Sequence, residues 1–296
     1  MYNLLILLEK TMRNILLFVL CALFCPFAVS AQTISGGDLP SLAPIKKQVY
    51  DTAQLKVYYE YKIRKDTVKK DNFTYGQTVL LVGDSYTCFM DNQAYLRDSI
   101  NDACCREGKS PMEYMGKVLG LTYPVYEYIL LTDIAGGTVS VQFNNPDLRV
   151  QYSQPMPRLE WKLAAGDSVI SGVKCKKAVC RFGGRDWTAW YSPEYGLPLG
   201  PYMFNGLPGL VFYVSDDRHD HTFTLNGLEH SNGVVPVYLR ADTDIVKLSR
   251  DKARNSISKY FEDSLPYFLL KYPGTILPND MKNKKWSHFY NPIELE

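Results

Sequence analysis

Leu55-Lys56-Val57-Tyr58-Tyr59-Glu60-Tyr61-Lys62-Ile63-Arg64 alternates without a break. Leu55, Val57, Tyr59, Tyr61 and Ile63 fall on one side, and Lys56, Tyr58, Glu60, Lys62 and Arg64 on the other. A period of two with one apolar side is the pattern of an antiparallel strand with one face on a core. Working outward, Lys65 to Asn72 reads as a polar turn, and Thr78 to Val82 and Tyr86 to Met90 as strands separated by Gly83-Asp84. Strands are also predicted at Val125 to Leu131, Thr138 to Phe143, Trp161 to Leu163, Val173 to Phe182 and Trp187 to Tyr191. Leu210 to Val214 and His221 to Leu225 form a predicted hairpin, and Val234 to Leu239 a last strand weakened by Pro236. Asp98 to Met112 is polar and reads as a loop with a little helix.

The period then changes. Ile245, Leu248, Ile257, Tyr260, Phe261 and Leu265 recur at helical spacing, with Asp242 or Thr243 to cap the start and Pro266 to end or kink it. The expected fold is mainly β: one strongly curved antiparallel sheet, a bowl or half-barrel, with a C-terminal helix packed on it.

Composition agrees with that class. The 296 residues are 46% hydrophobic, which is too apolar for a disordered chain, and 33 Lys+Arg against 31 Asp+Glu leave a net charge of +2. So small a charge provides no field for phosphate neutralisation, so no nucleic-acid partner is expected. The 22 Tyr and 13 Phe suit strands and binding faces.

Residues 1–31 read as a signal peptide. Met12-Arg13-Asn14 is a short basic start, Ile15 to Phe27 an apolar run of secretory length, and Val29-Ser30-Ala31 a cleavage site. Cys21 follows Leu20 and Cys25 follows Phe24, which excludes a lipoprotein. Residues 32–296 are then a single exported domain, periplasmic, outer-membrane-associated or secreted. No further apolar run reaches the length of about 18 needed to span a bilayer, so an integral membrane protein is not expected. Five cysteines remain: Cys88, Cys104, Cys105, Cys175 and Cys180. Cys175 and Cys180 would lie about 16 Å apart on opposite faces of a strand, too far to pair with each other. A bridge from Cys104 or Cys105 to one of them stays open beside the reading as small buried hydrophobes.

Leu80-Leu81-Val82-Gly83-Asp84-Ser85 resembles the nucleophile block of GDSL-type esterases, and Asp216 and His219 would complete a triad with Ser85. No parallel βαβ pattern surrounds it and the other blocks of those esterases are missing, so a turn is the simpler reading. His219 and His221 are candidate metal ligands without a visible third; no metal and no cofactor is expected. Gly183-Gly184-Arg185-Asp186-Trp187-Thr188-Ala189-Trp190-Tyr191 supplies candidate binding residues: Arg185 for a carboxylate or an aromatic ring, with Trp187, Trp190 and Tyr191 beside it. Asn205-Gly206-Leu207-Pro208-Gly209-Leu210-Val211 is a tight bend entering a strand, with no following Lys-Ser/Thr and no helix to make it a phosphate loop.

These last words carry a resemblance. Trp161-Lys162-Leu163, Phe182 to Tyr191, Gly200 to Val211 and Asn291-Pro292-Ile293-Glu294-Leu295 resemble the GLPGLI family of exported Bacteroidota proteins. Val211 stands where the name-giving Ile would be, and Tyr195-Gly196-Leu197 replaces a Glu-Ile-Pro type segment. The resemblance implies an exported, β-rich protein on a strongly curved sheet, with no established reaction and no assigned catalytic residues. It further implies likeness to a bowl-shaped, non-catalytic N-terminal domain of exported peptide-N-glycosidases. The sequence therefore favours a non-catalytic binding or scaffold protein with an aromatic-lined concave face, its ligand a peptide, glycan or lipid or its partner an envelope protein. The alternative is the Ser85 hydrolase.

Overall fold

In the computed structural model the described residues are 41–296 apart from positions 70 and 283. The predicted signal peptide, 1–31, lies outside them. β1 (Lys47–Thr52) precedes β2 (Leu55–Ile63). β3 (Thr74–Val82) and β4 (Tyr86–Asp91) form a hairpin, followed by α1 (Asn92–Arg106) and α2 (Pro111–Val118). β5 (Tyr128–Asp133), β6 (Thr138–Asn144) and β7 (Arg149–Pro155) make one meander, and β8 (Lys162–Ile170), β9 (Val173–Phe182) and β10 (Arg185–Ser192) a second. β11 (Leu210–Asp216) and β12 (His221–His230) form the expected hairpin. β13 (Pro236–Arg240), β14 (Val246–Lys247), α3 (Arg250–Glu262), α4 (Leu265–Lys271) and α5 (Asn279–Lys282) complete the order.

Among the described residues twelve strands form one open sheet in the order β14-β7-β6-β5-β4-β3-β2-β12-β11-β10-β9-β8, and β1 pairs with β13 separately. All neighbours are antiparallel except β14 with β7. β7 and β10 are eight strand spacings apart, about 38 Å in a flat sheet. Yet Gln154 of β7 donates to the Met203 sulfur at 3.7 Å, and the next residue, Phe204, lies 4.5 Å ring to ring from Trp187 of β10. The sheet therefore curls strongly, as the sequence reading expected.

Its concave side holds the main core. Val57, Tyr59 and Tyr61 of β2 meet Phe89, Phe143, Trp187 and Phe223 there. The hollow is filled by Ala253, Ile257 and Tyr260 of α3, by Met203, Phe204 and Leu207 of the β10–β11 loop, and by Ile293 of the tail. On the outer side β1, β13 and α1 cover part of the sheet, burying Val79, Leu81, Met90, Ile129 and Leu131 against Tyr95, Val237 and Tyr238. This second layer explains why Thr78 to Val82 is apolar without alternation: Leu80 enters the concave core, and Val79 and Leu81 the outer one.

The structure corrects several expectations. Asp98 to Met112 is largely helical, in α1 and α2. The buried stripe of α1 is Tyr95, Asp98, Asn101 and Cys104, half of it polar, so it carries no apolar period. Its polar members are satisfied at a distance: Asp98 accepts from Tyr238 Oη at 2.8 Å and Arg240 Nη1 at 3.2 Å, and Asn101 donates to Ala43 O at 2.8 Å. The helix expected from Ile245 begins at Arg250, because Val246 and Lys247 pair with β7. Pro266 opens α4 in its first turn, where a missing N–H costs nothing. β1 and β7 were not expected. All five cysteines of the described residues are free thiols, so no bridge joins α1 to β9. Cys175 and Cys180 share the concave core with Ala178, so the burial of β9 does not alternate strictly; β8 carries a register shift opposite Lys176 and Lys177.

Candidate functional site

The β9–β10 turn is Gly183-Gly184, both left-handed at φ 58° and 75°, which lets two residues reverse the chain. A Cβ on Gly183 would meet Glu294, so the turn also admits the C-terminal tail, and Leu295 N donates to Gly183 O at 2.7 Å. Arg185 follows the turn and is buried, 4% exposed. Its Nε donates to Ile293 O at 3.1 Å. Nη1 donates to Asp216 at 2.8 Å and Asp220 at 3.4 Å, and Nη2 to Asn291 Oδ1 at 2.5 Å and Pro292 O at 2.8 Å. Every donor nitrogen of the guanidinium is used inside the protein. Asp220 also takes Arg64 Nη1 at 2.9 Å, and Asn291 Nδ2 donates to Arg64 O at 2.8 Å. Arg185 is thus an internal clamp joining β10, the β11–β12 turn and the tail, not a surface binding group.

Its neighbours share that fate. Trp187 and Tyr191 are buried in the concave core, and Trp187 Nε1 donates to Phe182 O at 3.0 Å. Only Trp190, on the opposite face of β10, stays partly open, with Lys177 Nζ 5.9 Å from its ring and Tyr213 beside it on β11. The Asn205 to Val211 bend is structural in the same sense. Trp161 Nε1 donates to Asn205 O at 2.8 Å, and Gly206 N to Pro198 O at 3.1 Å. Gly206 sits at φ 84° and Pro208 directs the chain into Gly209, where a Cβ would collide with the Ser192 carbonyl. Leu207, Leu210 and Val211 are buried, and Tyr59 Oη of β2 donates to Val211 O at 2.9 Å.

The proposed triad is not assembled. Ser85 is in the β3–β4 turn beyond Leu55, and His219 in the β11–β12 turn beyond Ile63, at opposite ends of β2. Nine residues of strand separate them by about 26 Å, far beyond hydrogen-bond reach. Ser85 N instead donates to Asp51 at 2.7 Å, and Asp216 belongs to the Arg185 clamp, its Oδ1 accepting His221 N at 2.8 Å. His219, left-handed at φ 54°, has its Nδ1 3.0 Å from Ser215 Oγ and is exposed. His221 is buried, its Nδ1 2.8 Å from Tyr61 Oη. Burial and the Arg185 charge push its pKa down to about 3. The two histidines do not share a site, and among the described residues no His, Cys, Asp or Glu cluster is set to hold a metal.

The concave face is aromatic, as expected, but closed. What remains is a cavity of about 40 Å³ among Tyr126, Tyr152, Tyr202, Ile257 and Glu294. Tyr202 Oη donates to Glu294, which also takes Arg250 Nη2 at 2.9 Å. A more open cleft of about 550 Å³ lies between the α1–α2 pair and strands β5 and β6, and shares Tyr126 and Tyr128 with that cavity. That volume falls within the range of about 300–1,000 Å³ typical of small-molecule sites. Its floor is buried, with Met90, Asp91, Asp98, Tyr126 and Ile129. Tyr114, Tyr123, Asn144, Arg149 and Arg240 also line it. Asp91 builds the rim by accepting Val125 N at 2.8 Å and Tyr126 N at 3.1 Å, and burial raises its pKa and that of Asp98. Depressions of about 640 and 650 Å³ along β8 and β9 are wider but walled by exposed side chains such as Arg158, Lys162, Asp167 and Lys174. The sequence reading missed this cleft. Its available signal was Ser110-Pro111-Met112-Glu113, a helix-start word realised as a full capping box on α2.

No family model matches the chain, and no curated protein matches it. Among solved structures, PNGF-II in a P21 crystal form aligns with a TM-score of 0.46 at 13% identity, and in a C2 form with 0.47 at 12%. Each alignment covers 71% of this chain, which spans only about a third of PNGF-II, 34% and 33% in the two forms. A likeness at that level carries no argument about function.

Proposed function

We propose that this chain is an exported, non-catalytic binding protein of the GLPGLI type that takes its ligand in the cleft between α1–α2 and β5–β6. The observation that carries the reading is a contrast. The concave face is packed with the chain's own helix, loop and tail, while the cleft is open over a buried floor lined by both polar and aromatic side chains. The leader-like residues 1–31 and the words Phe182 to Tyr191 and Asn205 to Val211 support the export and family parts of the proposal. The Ser85 hydrolase is not carried forward, because its base and nucleophile lie at opposite ends of β2.

A thermal-shift screen of peptides, glycans and lipids tests the binding reading. A ligand present at about a hundred times its Kd should stabilise the folded protein by about 2.7 kcal/mol, and Tyr114→Ala with Tyr123→Ala should abolish that gain. A stabilising ligand indifferent to both changes would place the site elsewhere. Absence of any stabilising ligand would count against a binding function.

A further inference from the structure

Three guanidinium groups line the cleft, from Arg97, Arg149 and Arg240, and at first suggest an anionic ligand. Their partners argue otherwise. Arg149 Nη1 lies 3.3 Å from Asp242 and 3.1 Å from Asp244, and Arg240 bonds Asp242 at 2.8 Å and Asp98 at 3.2 Å. In the lining itself Asp91 and Glu127 stand with Asp98 as its carboxylates. An anion would meet three carboxylates in the lining beside guanidiniums that Asp242 and Asp244 already help to neutralise, and a cation would meet the guanidiniums at close range. A neutral ligand avoids both penalties.

We propose that the cleft takes a neutral, polyhydroxylated ligand, a pyranose-based oligosaccharide, an inference that rests on the binding reading above. The polar atoms left without a partner are buried and include both donors and acceptors. Arg97 spends Nη2 on the Leu121 and Thr122 carbonyls, at 2.8 and 3.2 Å, and its Nε has no partner among the described residues. Arg149 Nε and Asn144 Oδ1 are likewise unpartnered. Glu127 accepts Asn145 Nδ2 at 2.6 Å through one oxygen. A hydroxyl both donates and accepts, so vicinal hydroxyls suit a lining of mixed polarity, whereas an ionised carboxylate can only accept. The aromatic lining completes the match. Tyr123 is 88% exposed, with the Arg97 guanidinium 5.8 Å from its ring centre, and Tyr114 is half-buried. An exposed ring held in place by a cation offers a flat apolar platform for the C–H face of a pyranose. The apolar floor under Met90 and Ile129 is short and flanked by charges, unlike the continuous apolar channel an acyl chain needs.

Calorimetric titration of the full chain tests this, using neutral hexose and N-acetylhexosamine oligosaccharides, uronic-acid oligosaccharides and a random peptide library. The expected result is saturable binding of a neutral oligosaccharide, weakened roughly tenfold or more by Tyr123→Ala. That affinity should be unchanged between about 0.05 and about 0.5 M salt, because no net charge is exchanged. Tyr123 is exposed, so its removal leaves the fold intact. Preference for the uronic acids, or Tyr123-dependent capture of peptides instead of sugars, would overturn the ligand class while leaving the cleft as the ligand site. Sugar binding indifferent to Tyr123→Ala would overturn the site, and no Tyr123-dependent binding of any of the three would overturn both readings.

Discussion

Arg185 Nη2 and Asn291 Oδ1 meet at 2.5 Å across 106 residues of sequence, inside a region closed to solvent. Through this contact the words Gly183-Gly184-Arg185 and Asn291-Pro292-Ile293-Glu294 become one structure, with the tail laid across the hollow of the sheet.

Removing the clamp should be costly. Arg185→Met leaves the Asp216 carboxylate buried without its cation, a loss of about 3–5 kcal/mol in urea unfolding. Arg185→Lys keeps the charge but lacks the planar fork, so amide exchange of residues 291–295 should quicken even where global stability survives. Unchanged exchange in that segment would contradict the clamp.

The two motif glycines should respond differently. Gly206→Ala meets no atom and pays only for a positive φ, about 1 kcal/mol. Gly209→Ala drives a methyl into the Ser192 carbonyl and should cost about 3 kcal/mol or more. Equal denaturation midpoints for the two variants would remove the steric account of the bend.

His221 gives the fold an acid sensitivity. Its folded-state pKa is depressed to about 3 from 6.5, so the unfolded chain binds the proton more readily. Its contribution to stability is therefore complete above pH 6.5 and is lost towards pH 3, at about 1.4 kcal/mol per pH unit. Asp91, Asp98 and Asp216, raised by burial, act in the opposite direction. The clean readout is the difference between wild type and His221→Gln, which should narrow as pH falls from 7 to about 4.5. Parallel pH profiles would exclude the effect.

Ser85 and His219 should prove dispensable. Ser85→Ala and His219→Asn should each shift stability by less than about 0.5 kcal/mol, and any acetyl-ester hydrolysis by the protein should persist in both. Loss of turnover in either variant would revive the hydrolase.

The two tryptophans of β10 offer a further contrast. Trp187→Ala empties a fully buried site against Phe204 and should cost about 3–5 kcal/mol. Trp190→Ala, on the open face, should cost clearly less in the same unfolding experiment.

Local order was determined by the sequence alone. The alternation from Leu55 to Ile63, the hairpin around Asp216–Asp220 and the helical spacing around Ile257 to Phe261 are periodicities of a few residues, set by which side chains each element must bury. Tertiary structure decided everything that depends on contact at a distance. Helix α1 hides in the sequence because its buried face is polar, tolerable only where Tyr238 and Arg240 arrive to pair with Asp98. Arg185 looks like a binding residue until the tail supplies its acceptors, and Ser85 and His219 look like partners until β2 separates them. The cleft is assembled from α1, α2, β5, β6 and the segment around Arg240, elements that one strand or helix period cannot bring together.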